Sequence, residues 1–175
     1  MPGVRLEVAH SVGKLTLQGI DRMELMISAN KGESLKPLAK IASGGELSRI
    51  MLALKCAIAD KDSIPTMIFD EIDTGVSGRA AQKIGIKLSE LGSVRQVLCV
   101  THLSQIGIMA ENHLKIEKHQ ENGRTSTKVT TLDFEGRVYE IGRIMCGEPP
   151  SELILKSARE ELIKQHPKFA KENEN

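Results

Sequence analysis

The chain has 175 residues, 40% of them hydrophobic, the size and make-up of one folded domain with at most a small appendage. Its 24 Lys and Arg against 23 Asp and Glu leave a net charge of +1, so no global field draws it to DNA or to an anionic membrane. Aromatic residues at 2%, with no Trp, exclude a base-stacking platform, and the longest apolar runs (Met51 to Leu54, Val97 to Val100) fall far short of the ~20 residues that cross a bilayer.

The N-terminus, Met1-Pro2-Gly3-Val4-Arg5-Leu6-Glu7, lacks the basic-then-apolar order of a signal peptide, and a cytoplasmic protein is expected. Over the first thirty residues Val4, Leu6, Val8, then Leu15, Leu17, then Met23, Leu25, Ile27 alternate with polar residues. Gly13, Gly19 and Asn30-Lys31-Gly32 punctuate them, which predicts a small antiparallel region closed by Pro37. From Ser48 to Asp60 the residues Ile50, Met51, Leu54, Ala57 and Ile58 form one helical stripe. Ser43 followed at the third position by Glu46 fits a capping box, which starts that helix near Gly44. A short apolar strand, Thr66 to Phe69, ends in Asp70-Glu71. A second helix is predicted from about Gly78 to Leu91, with Ser77 as its N-cap and Gly92 as its stop. A second apolar strand, Val94 to Val100, ends in Thr101-His102.

Strand, helix, strand, with both strands apolar on every face, predicts a buried parallel βαβ unit. Ligands in such sheets sit beyond the carboxyl ends of the strands, where Asp70, Glu71 and His102 fall. Downstream, His113 to Lys118 and Thr125 to Leu132 flank Asn122-Gly123, a hairpin signal. Helices about Val138 to Met145 and Ser151 to Gln165 follow, split by Gly147 and Pro149-Pro150. Cys56, Cys99 and Cys146 have no Cys-x-x-Cys spacing and read as core thiols. The class is α/β with a mixed periphery.

Three segments carry chemistry. In Ser43-Gly44-Gly45-Glu46-Leu47-Ser48-Arg49, two glycines in a first helical turn cost about 1 kcal/mol each relative to alanine. Bare glycines let an anion approach the free N–H groups and the positive end of the helix dipole, although a flexible helix entry has the same spelling. Asp70 at the strand edge suits Mg²⁺, and Glu71 can take a proton from an attacking water; a solvated acidic strand end is the plain alternative. His102 can donate to a phosphate or be an ordinary half-buried histidine.

The order and spacing of these segments resemble the C-terminal lobe of an ABC-type ATPase of the structural-maintenance-of-chromosomes (SMC)-like branch. Residues Lys36 to Lys55 and Ile68 to Gly78 are most similar to the RecN family of bacterial DNA-repair proteins. Glu46 stands where transporter signatures more usually have Gln, against an ABC transporter subunit. The resemblance implies that Ser43, Gly44 and Gly45, with Glu46, contact the γ-phosphate of ATP held by an opposite protomer. It implies that Asp70 supports Mg²⁺, that Glu71 is the general base, and that His102 reads the γ-phosphate. The loop Asp73 to Gly78 would cross the dimer interface, with Asp73 and Ser77 among the residues that bind the nucleotide there. The family function is ATP hydrolysis in DNA double-strand break repair and recombination, at the nucleoid.

A Walker A loop, Gly-x4-Gly-Lys-Ser/Thr, is absent from the sequence, and so are sustained heptads. Residues 1–170 are therefore expected to form a C-terminal half-head with 171–175 as a flexible tail, partnered by a Walker A lobe of the same protein and a second protomer. DNA as a partner rests on the resemblance, because Lys36, Lys40, Arg49 and Lys55, and Lys164, Lys168 and Lys171, are balanced by acids. A non-catalytic dimerisation or DNA-docking module is the alternative, and a metal nuclease on Asp70, Glu71 and Asp73 leaves the glycines unexplained.

Overall fold

The computed structural model describes residues 4–28, 32–40, 43–59, 61, 63–121 and 124–170. The tail 171–175, the Asn122-Gly123 turn and Asn30-Lys31 lie outside them. The N-terminal pattern folds into a long hairpin, β1 (Arg5–Thr16) antiparallel to β2 (Gly19–Ser28). The chain turns between Thr16 and Gly19, whose φ of 104° suits glycine. Pro37 does not close this sheet as expected. Lys36–Pro37 is a third strand, β3, added to β2 at an edge, where a residue without an N–H is tolerated.

Helix α1 (Gly44–Ala57) begins where the capping signal places it. Strand β4 (Thr66–Phe69), helix α2 (Gly78–Gly92) and strand β5 (Gln96–Cys99) make the expected right-ordered unit, with β4 and β5 parallel in the register Thr66↔Gln96 to Phe69↔Cys99. A one-turn helix, α3 (Ser104–Gly107), follows. Then come the hairpin β6 (Leu114–Glu121) and β7 (Arg124–Thr131), and helices α4 (Phe134–Cys146) and α5 (Glu152–Gln165). Helix α4 starts four residues before the predicted Val138, because Asp133 caps it, its carboxylate accepting from the Gly136 N–H at 2.8 Å.

Two apolar clusters hold the body together. Leu52, Met67, Phe69, Ile72, Leu88, Leu91 and Ile106 knit α1, α2 and α3 to one face of the β4–β5 pair. Ile108, Val138, Ile141, Ala158 and Leu162 join α4 to α5. The expectation that β4 and β5 are buried on every face fails on the other side of the pair. Ile68 is 71%, Leu98 42% and Val100 53% exposed. Alternation along a strand sends these side chains away from α2, and nothing among the described residues covers them. The core-thiol reading holds in part: Cys56 and Cys99 are half-buried, whereas Cys146, at the end of α4, is exposed.

Candidate functional site

Three short segments meet around the carboxyl ends of β4 and β5: the start of α1, the loop 70–75, and the turn from β5 into α3. The first is built as a helix N-terminus. Ser43 is extended (φ −98°, ψ 116°), its hydroxyl accepts from the Glu46 N–H at 3.4 Å, and its carbonyl accepts from the Leu47 N–H at 3.0 Å. Glu46 lies half-buried in that first turn.

The structure gives the two glycines a sharper reason than an open approach for an anion. A Cβ on Gly45 would lie 2.9 Å from the Glu71 carbonyl oxygen and from the Thr74 Cβ, and 3.0 Å from Arg49 Nη1. A Cβ on Gly44 would collide with the Glu71 carboxylate. Both glycines let the strand-end loop of the same chain lie directly on the helix start.

That loop is fastened from α1. Ser48 Oγ donates to the Asp70 carbonyl at 2.8 Å, and Arg49 Nη1 donates to the carbonyls of Ile72 at 3.3 Å and Thr74 at 2.8 Å. Ile72 is fully buried and acts as the loop's apolar anchor. Glu71, between these fixed points, has φ +56°, a left-handed conformation that costs a non-glycine residue about 1–2 kcal/mol. The bonds on either side hold it there, with its carboxylate exposed beside Gly44. Asp70 is exposed at the end of β4, and its Oδ1 accepts from the Glu71 N–H at 2.8 Å.

Asp73 departs from the expectation that it reaches a ligand. It is 3% exposed, and its Oδ2 accepts from Thr101 Oγ1 at 2.6 Å and from the His102 N–H at 2.9 Å, with His102 Nδ1 3.0 Å away. The His102 ring is 72% exposed, so the carboxylate is inside and the imidazole outside. Thr101 Oγ1 in turn accepts from the Leu103 N–H at 3.1 Å, which shapes the turn into α3. Cys99 closes β5 beneath the acids. Burial first, and then the negative charges of Asp73 and Asp70, push its thiol up to about 12, so it stays protonated and inert. Ser77 precedes α2 as predicted, extended and exposed, but its hydroxyl makes no capping bond.

The structure thus brings Gly44, Gly45, Asp70, Glu71, Asp73 and His102 into one connected set. Ser48, Arg49 and Thr101 were not singled out from the sequence. The signal available for them was their position, within a turn of a helix start or a strand end. A single exposed carboxylate at a strand edge fits Mg²⁺, which is held by one or two carboxylates together with waters and substrate phosphates. Among the described residues no group of three or more His, Cys, Asp or Glu side chains forms a closed metal cage.

No family model matches the chain. It is 49% identical over 152 residues to the DNA repair protein RecN of Bacillus subtilis, covering 87% of this chain and 26% of that protein. It is 44% identical over 163 residues to RecN of Deinococcus radiodurans, covering 93% and 28%, and 40% identical over 159 residues to RecN of Vibrio cholerae, covering 91% and 29%. The chain therefore spans about a quarter of the length of the curated relatives it matches. Among solved structures, the Smc head domain of Pyrococcus yayanosii, with its coiled coil and joint, superposes with a TM-score of 0.58 over 90% of this chain and 26% of that one, at 20% identity. The Smc head domain of Pyrococcus furiosus, bound to the C-terminal domain of ScpA, gives 0.53 over 74% of this chain and 31% of that one, at 19% identity. The sequence is RecN-like over most of its length, and the fold is that of part of an SMC-type head.

Proposed function

We propose that this chain, RecN-like along most of its length, is the C-terminal lobe of a two-lobed ATPase head that acts in DNA double-strand break repair and recombination. Its companion is a Walker A lobe of the same protein, its second partner another protomer, and its ultimate substrate DNA. ATP is hydrolysed between two heads.

Each residue has a task set by its chemistry. The start of α1 offers the exposed Ser43 and Gly44 to the γ-phosphate of a nucleotide held by the facing head, while Gly45 is buried under the chain's own loop and, with half-buried Glu46, stands behind them rather than open to the phosphate as expected. Asp70 would hold Mg²⁺, which when bound neutralises charge on the phosphates. Glu71 receives the proton of the attacking water, and His102 reads the γ-phosphate. The Asp73 to Gly78 loop, with Ser77 exposed, faces the neighbouring protomer.

One observation supports this reading above the others: a helix start, two exposed strand-end acids and an exposed histidine are tied into a single rim by side chain to backbone bonds. The uncovered apolar face of β4 and β5 supports the companion lobe, since exposed Ile68, Leu98 and Val100 are the pattern of a sheet that continues into another body. No helix among the described residues is long and apolar enough to cross a membrane.

The test is reconstitution of this chain with the Walker A lobe of its own protein. The pair turns over ATP, this chain alone does so barely or not at all, and Glu71→Gln slows the pair by about 100-fold or more while strengthening its ATP-dependent association. Turnover untouched by Glu71→Gln would favour a non-catalytic dimerisation module instead.

A further inference from the structure

The Asp73 carboxylate is buried, and its Oδ2 is spent on the turn that carries His102. We propose that Asp73 is a positioning residue for His102: it fixes the ring through Nδ1 and leaves Nε2 as the ring nitrogen that meets a ligand. The proposal deepens the composite-site reading and rests on it for the identity of that ligand, a phosphate; the Asp73–His102 contact stands without it.

The geometry has three parts. First, one oxygen, Asp73 Oδ2, accepts from the Thr101 hydroxyl at 2.6 Å and from the His102 N–H at 2.9 Å, and His102 Nδ1 lies 3.0 Å from that same oxygen. The backbone of residue 102 and its side chain are therefore oriented by the same atom. Second, an Nδ1 lone pair turned on a carboxylate oxygen at 3.0 Å is repelled, so the ring hydrogen is favoured on Nδ1. In the neutral ring Nε2 then holds the lone pair, and it donates to a phosphate only in the doubly protonated ring. Third, the burial is asymmetric. Asp73 is 3% exposed and the His102 side chain 72%, so the carboxylate cannot itself touch a nucleotide and can act only through the ring.

Asp73 is in turn placed by the rest of the rim. It follows the buried Ile72, and Arg49 holds the carbonyls on both sides of it, at Ile72 and Thr74. The start of α1, which carries the signature glycines, is thereby linked by Arg49 to the residue that aims the histidine.

The experiment is nitrogen NMR of the 175-residue chain with labelled histidine, without nucleotide, at about pH 8.5, above the ordinary histidine range. His102→Gln identifies the His102 signals among the five histidines. In the unmodified chain His102 is expected as the Nδ1–H tautomer by about tenfold, the bias that ~1.4 kcal/mol of electrostatic preference supplies. In Asp73→Asn, which keeps an acceptor for Thr101 and for the His102 N–H, that bias falls several-fold while the other histidines hold theirs. An unmodified chain with His102 mainly in the Nε2–H form overturns the proposal, whatever the variants do. So does an Asp73→Asn chain that folds and keeps the bias. If Asp73→Asn does not fold, the unmodified spectrum alone decides. In the reconstituted pair, Asp73→Asn and His102→Gln should lower turnover by similar factors and the double variant by no more than either. Absence of any ATP turnover in that pair, with the tautomer as expected, refutes the composite-site reading and not the positioning of His102.

Discussion

Gly44 and Gly45 are both bare, but they are bare for different reasons, and alanine at each should separate them. Alanine at either position gains up to about 1 kcal/mol of helix propensity, so the difference between the two variants isolates what the new methyl meets. At Gly44 it meets the far end of the Glu71 side chain, which can rotate away at little cost. At Gly45 it meets the Glu71 carbonyl and the Thr74 Cβ at 2.9 Å, in a loop held by Arg49 and by the buried Ile72. Overpacking against fixed atoms costs about 1–3 kcal/mol. Gly45→Ala should therefore unfold below Gly44→Ala by that amount, or by several degrees at about 2–4 °C per kcal/mol for a chain of this size. Thermal and urea unfolding of the two variants read the difference directly. Gly44→Ala should be near the unmodified chain in stability and yet displace the Glu71 carboxylate, so it loses turnover in the reconstituted pair. A Gly45→Ala chain as stable as Gly44→Ala would refute the close approach of the loop to the helix start.

Arg49→Met removes two charged bonds to carbonyls, and urea unfolding should show a loss of about 1–3 kcal/mol, against less than ~0.5 kcal/mol for an exposed lysine such as Lys83. His113 is pushed below its ordinary value by burial first and by the Arg137 charge second, with Nδ1 buried and without a hydrogen-bond partner. The unfolded chain then binds the proton more readily than the folded one. Stability falls as pH drops below about 6.5, and His113→Gln should flatten that slope in unfolding measured across the window. Glu140, held low by its bonds to Arg143, adds a second loss below its ordinary carboxylate range, as pH falls through its lowered value. Ile68→Thr together with Leu98→Thr should leave the stability of this chain within ~0.5 kcal/mol, because both side chains are exposed, but should weaken association with the companion lobe in a pull-down or by light scattering.

Much of the site was legible because its signals are local. A capping box needs four residues, and Ser43 to Glu46 located the start of α1 where the structure has it. Apolar runs closed by polar residues, Asp70-Glu71 after β4 and Thr101-His102 after β5, located both parallel strands. What escaped depends on contacts twenty or more residues apart. The role of Arg49 is set by the carbonyls of Ile72 and Thr74, and that of Asp73 by Thr101 and His102. A carboxylate two residues after Glu71 looks like a further ligand in sequence. Its burial, and hence its change of role, exists only once the Thr101-His102 turn is packed against it.

The same distinction explains the one large disagreement over the fold. Periodicity reports which faces of a strand are apolar, not what covers them. Met67 and Phe69 point to α2 and are buried, while Ile68 and Leu98 are equally apolar and stand in solvent. Two strands with both faces apolar, one of them bare, make a sheet whose sequence is matched to more neighbours than the described residues supply. Exposed apolar patches of this kind mark interaction surfaces rather than ordinary surface scatter. The bare face flanks strands whose carboxyl ends carry Asp70, Glu71 and the turn to His102. A lobe seated on it would adjoin the rim at which these residues meet. Docking and completion of the site would then be one event, and variants on the bare face should lower turnover in the reconstituted pair in proportion to the association they lose.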